Sequence, residues 1–251
     1  MDGEGIKQIL ANVPKPQLVT VAGVEQLLVP HGEAWLESKT GPDVPPAPLH
    51  VHTLSGLVAY VLRNHDKLAL DGCVLHVVHQ AEVRLRGGLL PAPFHRRHDY
   101  VVASTEALFG RGFSFGAYYD RETFNVDLQT LFVDSAARQR VLAIVGNLKE
   151  EQVRDSADDG TTQTVTGRAG VVLGKDVAVP NPVSLQPYRT FREIAQPASL
   201  FVLRLQSGKE GGLPKCALFE CDGGAWKLEA ISSIRDYLKR ELGDVPLAIL
   251  A

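Results

Sequence analysis

TLSGLVAYVLRN (Thr53–Asn64), followed shortly by CVLHVVHQAEVRL (Cys73–Leu85), decides the fold class of this chain. In the first segment Leu54, Leu57, Val58, Val61 and Leu62 fall at i, i+3, i+4, i+7 and i+8 behind Thr53, whose hydroxyl suits an N-cap. The spacing predicts an amphipathic helix to about Asn64 with one apolar face packed down. In the second, Cys73, Leu75, Val77, His79, Ala81, Val83 and Leu85 alternate with Val74, His76, Val78, Gln80, Glu82 and Arg84, which predicts one long half-buried strand. Gly87-Gly88 and two prolines then turn the chain, and Asp99–Ala103 is expected to return antiparallel. A helix packed on an antiparallel sheet places the chain in the α+β class.

Toward the N-terminus, residues 6–13 predict a short helix ended by Pro14 and Pro16. Gln17–Val21, Gln26–Val29 and Ala34–Glu37 read as short strands. Gly41–Pro48 carries four prolines in eight residues and can continue neither a helix nor a central strand. Residues 1–48 are therefore expected to be an arm and linker, and residues 49–150 an α+β region. Within the latter, Glu106–Gly116 is glycine-rich and irregular. Residues 121–133 fit both a helix (Phe124, Leu128, Leu131, Phe132) and a strand, and are assigned to helix. Asp134 or Ser135 caps a further helix through Val141, Leu142, Val145 and Leu148. Beyond the polar turn Asp155–Gly160, residues 151–251 form a β-rich region: Thr161–Thr166, Val171–Leu173, Val177–Val179, Leu200–Leu205, Ala217–Glu220 and Ala225–Glu229. Thr166–Gly170 is read as a hairpin turn. Ser232 or Ser233 caps a final helix carrying Ile234, Tyr237, Leu238 and Leu242.

A formal net charge of −3 gives no overall electrostatic drive toward nucleic acid or an anionic membrane. Cys73, Cys216 and Cys221 are odd in number and lack C-x-x-C spacing, so they read as reduced thiols. Met1–Gly5 has neither a basic n-region nor an apolar h-region, and no apolar run approaches the ~20 residues of a membrane span. The expectation is a cytoplasmic protein without a membrane partner.

All eight histidines lie between His31 and His98. His50 and His52 form a His-x-His step, and at i and i+2 of a strand two imidazoles can converge on one metal. The step resembles the opening of polymerase-and-histidinol-phosphatase-type metal phosphoesterases, but no late histidine completes that pattern. His76 and His79 stand three apart and face opposite ways on a regular strand, and His79 is expected to hold a backbone partner. His95, Arg96, Arg97 and His98 form the one cationic cluster, flanked by Phe94 and Tyr100, a combination that suits phosphate and base stacking. No G-x-S-x-G elbow and no G-x-x-x-x-G-K-[ST] loop appears, so no catalytic residue and no cofactor is expected.

The order of features is itself informative. A linker leads to His52–Val61; a strand pair returns through His95-Arg96 to Tyr100 and Ser104-Thr105-Glu106; a helix ends near Asn147-Leu148-Lys149. Val179-Pro180, Pro187-Tyr188 and Phe201–Leu205 follow. Over roughly residues 48–230 this resembles the YfdQ-like family of phage and prophage proteins. The resemblance implies a phage-derived cytoplasmic protein encoded beside early nucleic-acid-handling genes, and it carries over no catalytic residue.

Three functions follow as expectations. The first is a non-enzymatic protein that self-associates into a ring, shell or scaffold, with residues 1–48 and the Gly110–Asp120 loop as contacts. The second is a single-stranded nucleic-acid-binding or recombination accessory acting through His95–His98. The third is a metal-dependent hydrolase using His50 and His52.

Overall fold

The computed structural model describes residues 47–90, 96–105, 112–146, 181–206 and 214–251, with the paired backbone segments Gln17–Val21, Val24–Leu28, Ala157–Asp158, Gln163–Gly167 and Lys175–Ala178. In chain order the strands are β1 (Gln17–Val21), β2 (Val24–Leu28), β3 (Leu49–Val51), β4 (Val74–His79), β5 (Glu82–Arg86), β6 (Asp99–Ser104), β7 (Tyr119–Asp120), β8 (Ala157–Asp158), β9 (Gln163–Gly167), β10 (Lys175–Ala178), β11 (Val183–Leu185), β12 (Ser199–Gln206), β13 (Lys215–Glu220) and β14 (Ala248–Leu250). The helices are α1 (Leu54–Arg63), α2 (Arg121–Thr130), α3 (Ala136–Gly146) and α4 (Ala225–Leu242). The class is α+β, with a C-terminal helix. The segments 6–13, Ala34–Glu37, Gly41–Pro46, Asp155–Ser156, Arg168–Gly170, Val171–Leu173 and Leu148 lie outside the described residues.

Local sequence explains α1 well. Thr53 is extended, and its Oγ1 accepts the Gly56 N–H at 3.0 Å, satisfying one of the donors a helix start leaves open. Gly56 is fitted to that cap, because a Cβ there would stand 2.9 Å from Thr53 Oγ1. Leu54, Leu57, Val58 and Val61 are buried, and Asn64 ends the helix in the left-handed region at φ 42°. Asp120 caps α2 through the Thr123 N–H at 2.9 Å, and Ser135 caps α3 through the Arg138 N–H at 3.1 Å.

Cys73–Leu85 is not one strand. It is a hairpin, with β4 and β5 antiparallel around a turn at Gln80-Ala81. Leu75 pairs with Leu85 and Val77 with Val83, so paired residues share parity and the alternation passes through the turn without a break in phase. A register shift between Val77 and His79 absorbs the irregularity, and His79 Nδ1 accepts the Ala81 N–H at 3.1 Å. The turn carries no glycine, proline, asparagine or aspartate to mark it.

Two sheets, each covered on one face by a helix pair, hold the two cores. The first runs β14-β4-β5-β6-β3: its three middle strands are antiparallel, while β14 and β3 are each parallel to their neighbours. Helices α1 and α4 cover it, with Leu54, Leu57, Leu75, Val83, Leu85, Val101, Ile234 and Leu238 all fully buried. The second sheet is antiparallel, β11-β12-β13-β7, and buries Phe124 and Leu128 of α2 and Val141 and Val145 of α3 against Phe201, Leu203 and Leu218. Each sheet is assembled from both sides of residue 150: α4 and β14 complete the first, whereas β7, α2 and α3 complete the second. Elsewhere β1 pairs with β2, and β9 pairs with both β8 and β10, antiparallel in each case.

Ala225–Glu229, read as a strand, is the first part of α4, so neither Ser232 nor Ser233 is a cap. Trp226, Ala230, Ile234, Leu238 and Leu242 are buried at successive spacings of four, one continuous helical face. Ser232 lies within the helix, and its hydroxyl accepts from Arg235 Nη2 at 3.0 Å.

Candidate functional site

Strand pairing lines up two rows of side chains across the whole first sheet. On the helix-covered face, Leu49, Val101, Leu85, Leu75 and Ile249 stand side by side on five strands. The middle three are fully buried, whereas Leu49 at one end is 52% exposed. On the opposite face the row reads His50, Val102, Arg84, His76 and Leu250, and its last member is 53% exposed. An ion-pair ladder occupies that face: Arg84 donates to Glu82 at 2.6 Å and to Asp99 at 2.9 Å, and Arg86 donates to Asp99 at 3.0 Å. Ion pairing to Glu82 and Asp99 holds the Arg84 guanidinium above its ordinary pKa.

His50 is exposed on β3, and His52 just beyond the strand turns its Nδ1 to the Ser104 carbonyl, 3.3 Å away. Among the described residues, no three His, Cys, Asp or Glu side chains gather at metal-holding distance. The cationic cluster sits at the other end of β6, in the segment leading into Asp99. Arg96 and Arg97 are exposed, His98 is half-buried and His95 lies outside the described residues. Arg97 donates to the Gly87 carbonyl at 2.8 Å, and the Gly87 N–H donates to the His98 carbonyl at 2.9 Å, so this end of the β5–β6 connection is tied down. The histidine pair and the cationic cluster are thus separated by the length of a strand.

The described part of the Gly110–Asp120 loop divides its aromatic residues between core and surface. Phe115 stacks on Phe201 with centroids 5.0 Å apart, and Phe113 meets Phe132 edge-on at 5.3 Å. Gly116, at φ +80°, donates to the Leu218 carbonyl at 2.8 Å and lies against the Phe219 ring. Tyr118 then meets Phe219 in a T-shaped pair at 6.2 Å, with the two residues 41% and 37% exposed. Val202 pairs with Phe219 and projects from the same face of the second sheet, as does Leu200 two residues earlier, itself 43% exposed. The outer surface of this sheet therefore presents Leu200, Val202, Phe219 and Tyr118.

A further cluster had no signal in the sequence. Arg189 lies over the Trp226 ring at 3.7 Å, donates to Glu220 at 2.6 Å and also donates to the Ser199 hydroxyl. Burial lowers its pKa while Glu220 and Asp222 pull the other way. Nearby, the buried Gln196 side chain accepts the Arg189 N–H at 3.0 Å and the Thr190 N–H at 3.3 Å, and donates to the Phe191 carbonyl at 2.9 Å. Thr190 in turn donates to the Gln80 carbonyl in the β4–β5 turn. This segment joins the sheets: Phe191 is buried in the first core, whereas Arg189 reaches Phe115 and Phe201 of the second.

No protein-family model, no curated protein and no solved structure matches this chain. No described helix is long and apolar enough to cross a membrane.

Proposed function

We propose that this chain is a non-enzymatic, phage- or prophage-derived cytoplasmic protein that self-associates into a homomeric assembly. The carrying observation is the apolar strip Leu200–Val202–Phe219–Tyr118 on the outer face of the second sheet, exposed at Leu200, Phe219 and Tyr118 with Val202 half-buried between them. Tyr118 belongs to the Gly110–Asp120 loop named as a contact on sequence grounds. Large aromatic side chains on a rigid, half-desolvated surface are the residues that carry binding energy at protein interfaces. A contiguous apolar patch rimmed by polar groups is a recurrent mark of such interfaces. The order of sequence features supports the phage origin.

The test is the native mass of the wild type beside that of Phe219→Lys and Tyr118→Lys, by light scattering coupled to size exclusion. The reading predicts an assembly for the wild type and a smaller species for both variants. An unchanged mass in both variants would remove the strip as the contact. Absorbance at two wavelengths in the same run addresses nucleic acid: co-purified material lost in Arg96→Ala/Arg97→Ala would favour the exposed arginine pair as a nucleic-acid surface instead.

A further inference from the structure

The first sheet ends in two strands that match each other as interlocking edges. Strands β3 and β14 are each three residues long, and among the described residues neither has a partner on its outer side. A sheet edge left in this state presents unpaired N–H and C=O groups, for which another strand is the natural complement. Natural edges are commonly defended by shortness or by charged side chains; these two are short, but Leu49-His50-Val51 and Ala248-Ile249-Leu250 contain no Lys, Arg, Asp or Glu to repel a partner strand.

Direction settles how two copies can join. β4 and β6 run the same way, since both are antiparallel to β5; β14 is parallel to β4 and β3 is parallel to β6. Both edges therefore run in one direction, and a second copy adds at either edge without being inverted, its helices staying on the same side of the sheet. Continuing the register carries both rows across the junction. The half-exposed Leu49, which ends the helix-covered row, lands beside the partner's Ile249, which begins it. On the other face, His50 lands beside the partner's Leu250.

We propose that β3 of one copy pairs in parallel with β14 of the next, a heterologous contact that repeats head to tail through the assembly. This rests on the self-association reading and adds a second contact, on the first sheet, to the apolar strip of the second. Pairing an edge with its own counterpart across a two-fold axis would leave the opposite edge open on both copies. Head-to-tail pairing satisfies both edges of every interior copy.

Neighbouring strands stand about 4.8 Å apart, and disulfides span Cα separations of about 4.4–6.8 Å, so a cysteine at each row end reads the contact directly. In a Cys221→Ser background, Leu49→Cys and Ile249→Cys are prepared separately, mixed and mildly oxidised. The expected product is a disulfide-linked dimer from the mixture and not from either variant alone, and a ladder of multimers when one chain carries both cysteines. Leu49→Lys and Leu250→Lys place charges at half-exposed positions that leave the fold intact by circular dichroism, and either alone is expected to reduce the native mass. If the wild type assembles while both lysine variants keep its mass and the mixture gives no cross-link, the interface lies elsewhere and this proposal fails. If the wild type is a single chain at every concentration, the self-association reading itself fails.

Discussion

Replacing Arg189 should destabilise the protein more than any surface change, because its side chain is only 13% exposed and three kinds of partner converge on it. Its guanidinium lies 3.7 Å from the Trp226 ring, a desolvated stacking of the kind that contributes about 2 kcal/mol. Removing one member of a wholly buried, hydrogen-bonded ion pair costs about 3–5 kcal/mol. Glu220, however, is 27% exposed and rehydrates when the arginine is gone, which pulls the cost below that range. The contributions overlap and do not sum. Arg189→Ala is therefore expected to lose about 2–4 kcal/mol, read at a urea slope of about 3 kcal/mol/M as a fall of about 0.7–1.3 M in the midpoint with an unchanged slope. Arg189→Lys keeps the charge but cannot hold Glu220 and Ser199 with one planar fork while stacking on Trp226. It also removes a buried Nε that has no acceptor among the described residues, so the expected loss is smaller, about 1–2 kcal/mol. A double-mutant cycle of Arg189→Met with Trp226→Leu should show a coupling of at least about 0.5 kcal/mol. If Arg189→Ala stays within about 0.5 kcal/mol of the wild type, the cluster does not hold the two sheets together as argued.

Thr53→Ala should cost about 1 kcal/mol of unfolding free energy through loss of the α1 cap. Gly56→Ala should also destabilise despite the better helix propensity of alanine, because its Cβ would press on Thr53 Oγ1; a higher melting temperature would refute this. Gln196→Leu should lose about 1–3 kcal/mol by stranding the buried Arg189 and Thr190 N–H groups, measured by the same urea titration. Burial pushes the Cys216 thiol up from 9.0 to about 12, and burial with the Asp66 hydrogen bond pushes the Tyr60 hydroxyl from 10.0 to about 12. Both groups ionise more readily in the unfolded chain, so their contribution is fully present below about pH 9 and is lost as pH rises toward 12. Cys216→Ala should flatten the fall in urea midpoint over the alkaline part of that window. In the native protein at pH 8, a thiol reagent should label the exposed Cys221 ahead of the buried Cys73 and Cys216.

What was legible in the sequence is what local chemistry fixes. Thr53 and the Asp134-Ser135 pair each stand immediately before an apolar periodicity, and Thr53 and Ser135 each cap a helix, whereas the Asp120 cap of α2 emerges only in the fold; the sequence reading of Gln17–Val21 matches β1 at both ends. The β4–β5 hairpin was hidden because its pairing preserves parity through an unmarked turn, so alternation could not reveal the reversal. The start of α4 was hidden differently. Trp226 and Leu228 gave a short strand-like alternation, and the decisive spacing of four emerges only when Trp226 and Ala230 are joined to Ile234, Leu238 and Leu242. Gly223 and Gly224, both at positive φ, were the available sign that a helix begins after them. The parallel edges could not be read at all: β14 pairs with β4 more than 170 residues away, and three-residue strands carry no period. Arg189 was equally silent, since its partners Ser199, Glu220 and Trp226 meet it only through tertiary folding. For the histidine step and the arginine pair, sequence proximity identified residues, but strand geometry set them at opposite ends of β6.

The most direct test of the central claim is the native mass of the wild-type protein across a concentration series, followed by light scattering with absorbance at two wavelengths. Self-association through apolar surface and open edges predicts a homomeric species, free of nucleic acid, whose mass is a multiple of the single chain and falls on dilution or on edge substitution. A species with the mass of one chain at every concentration would contradict it.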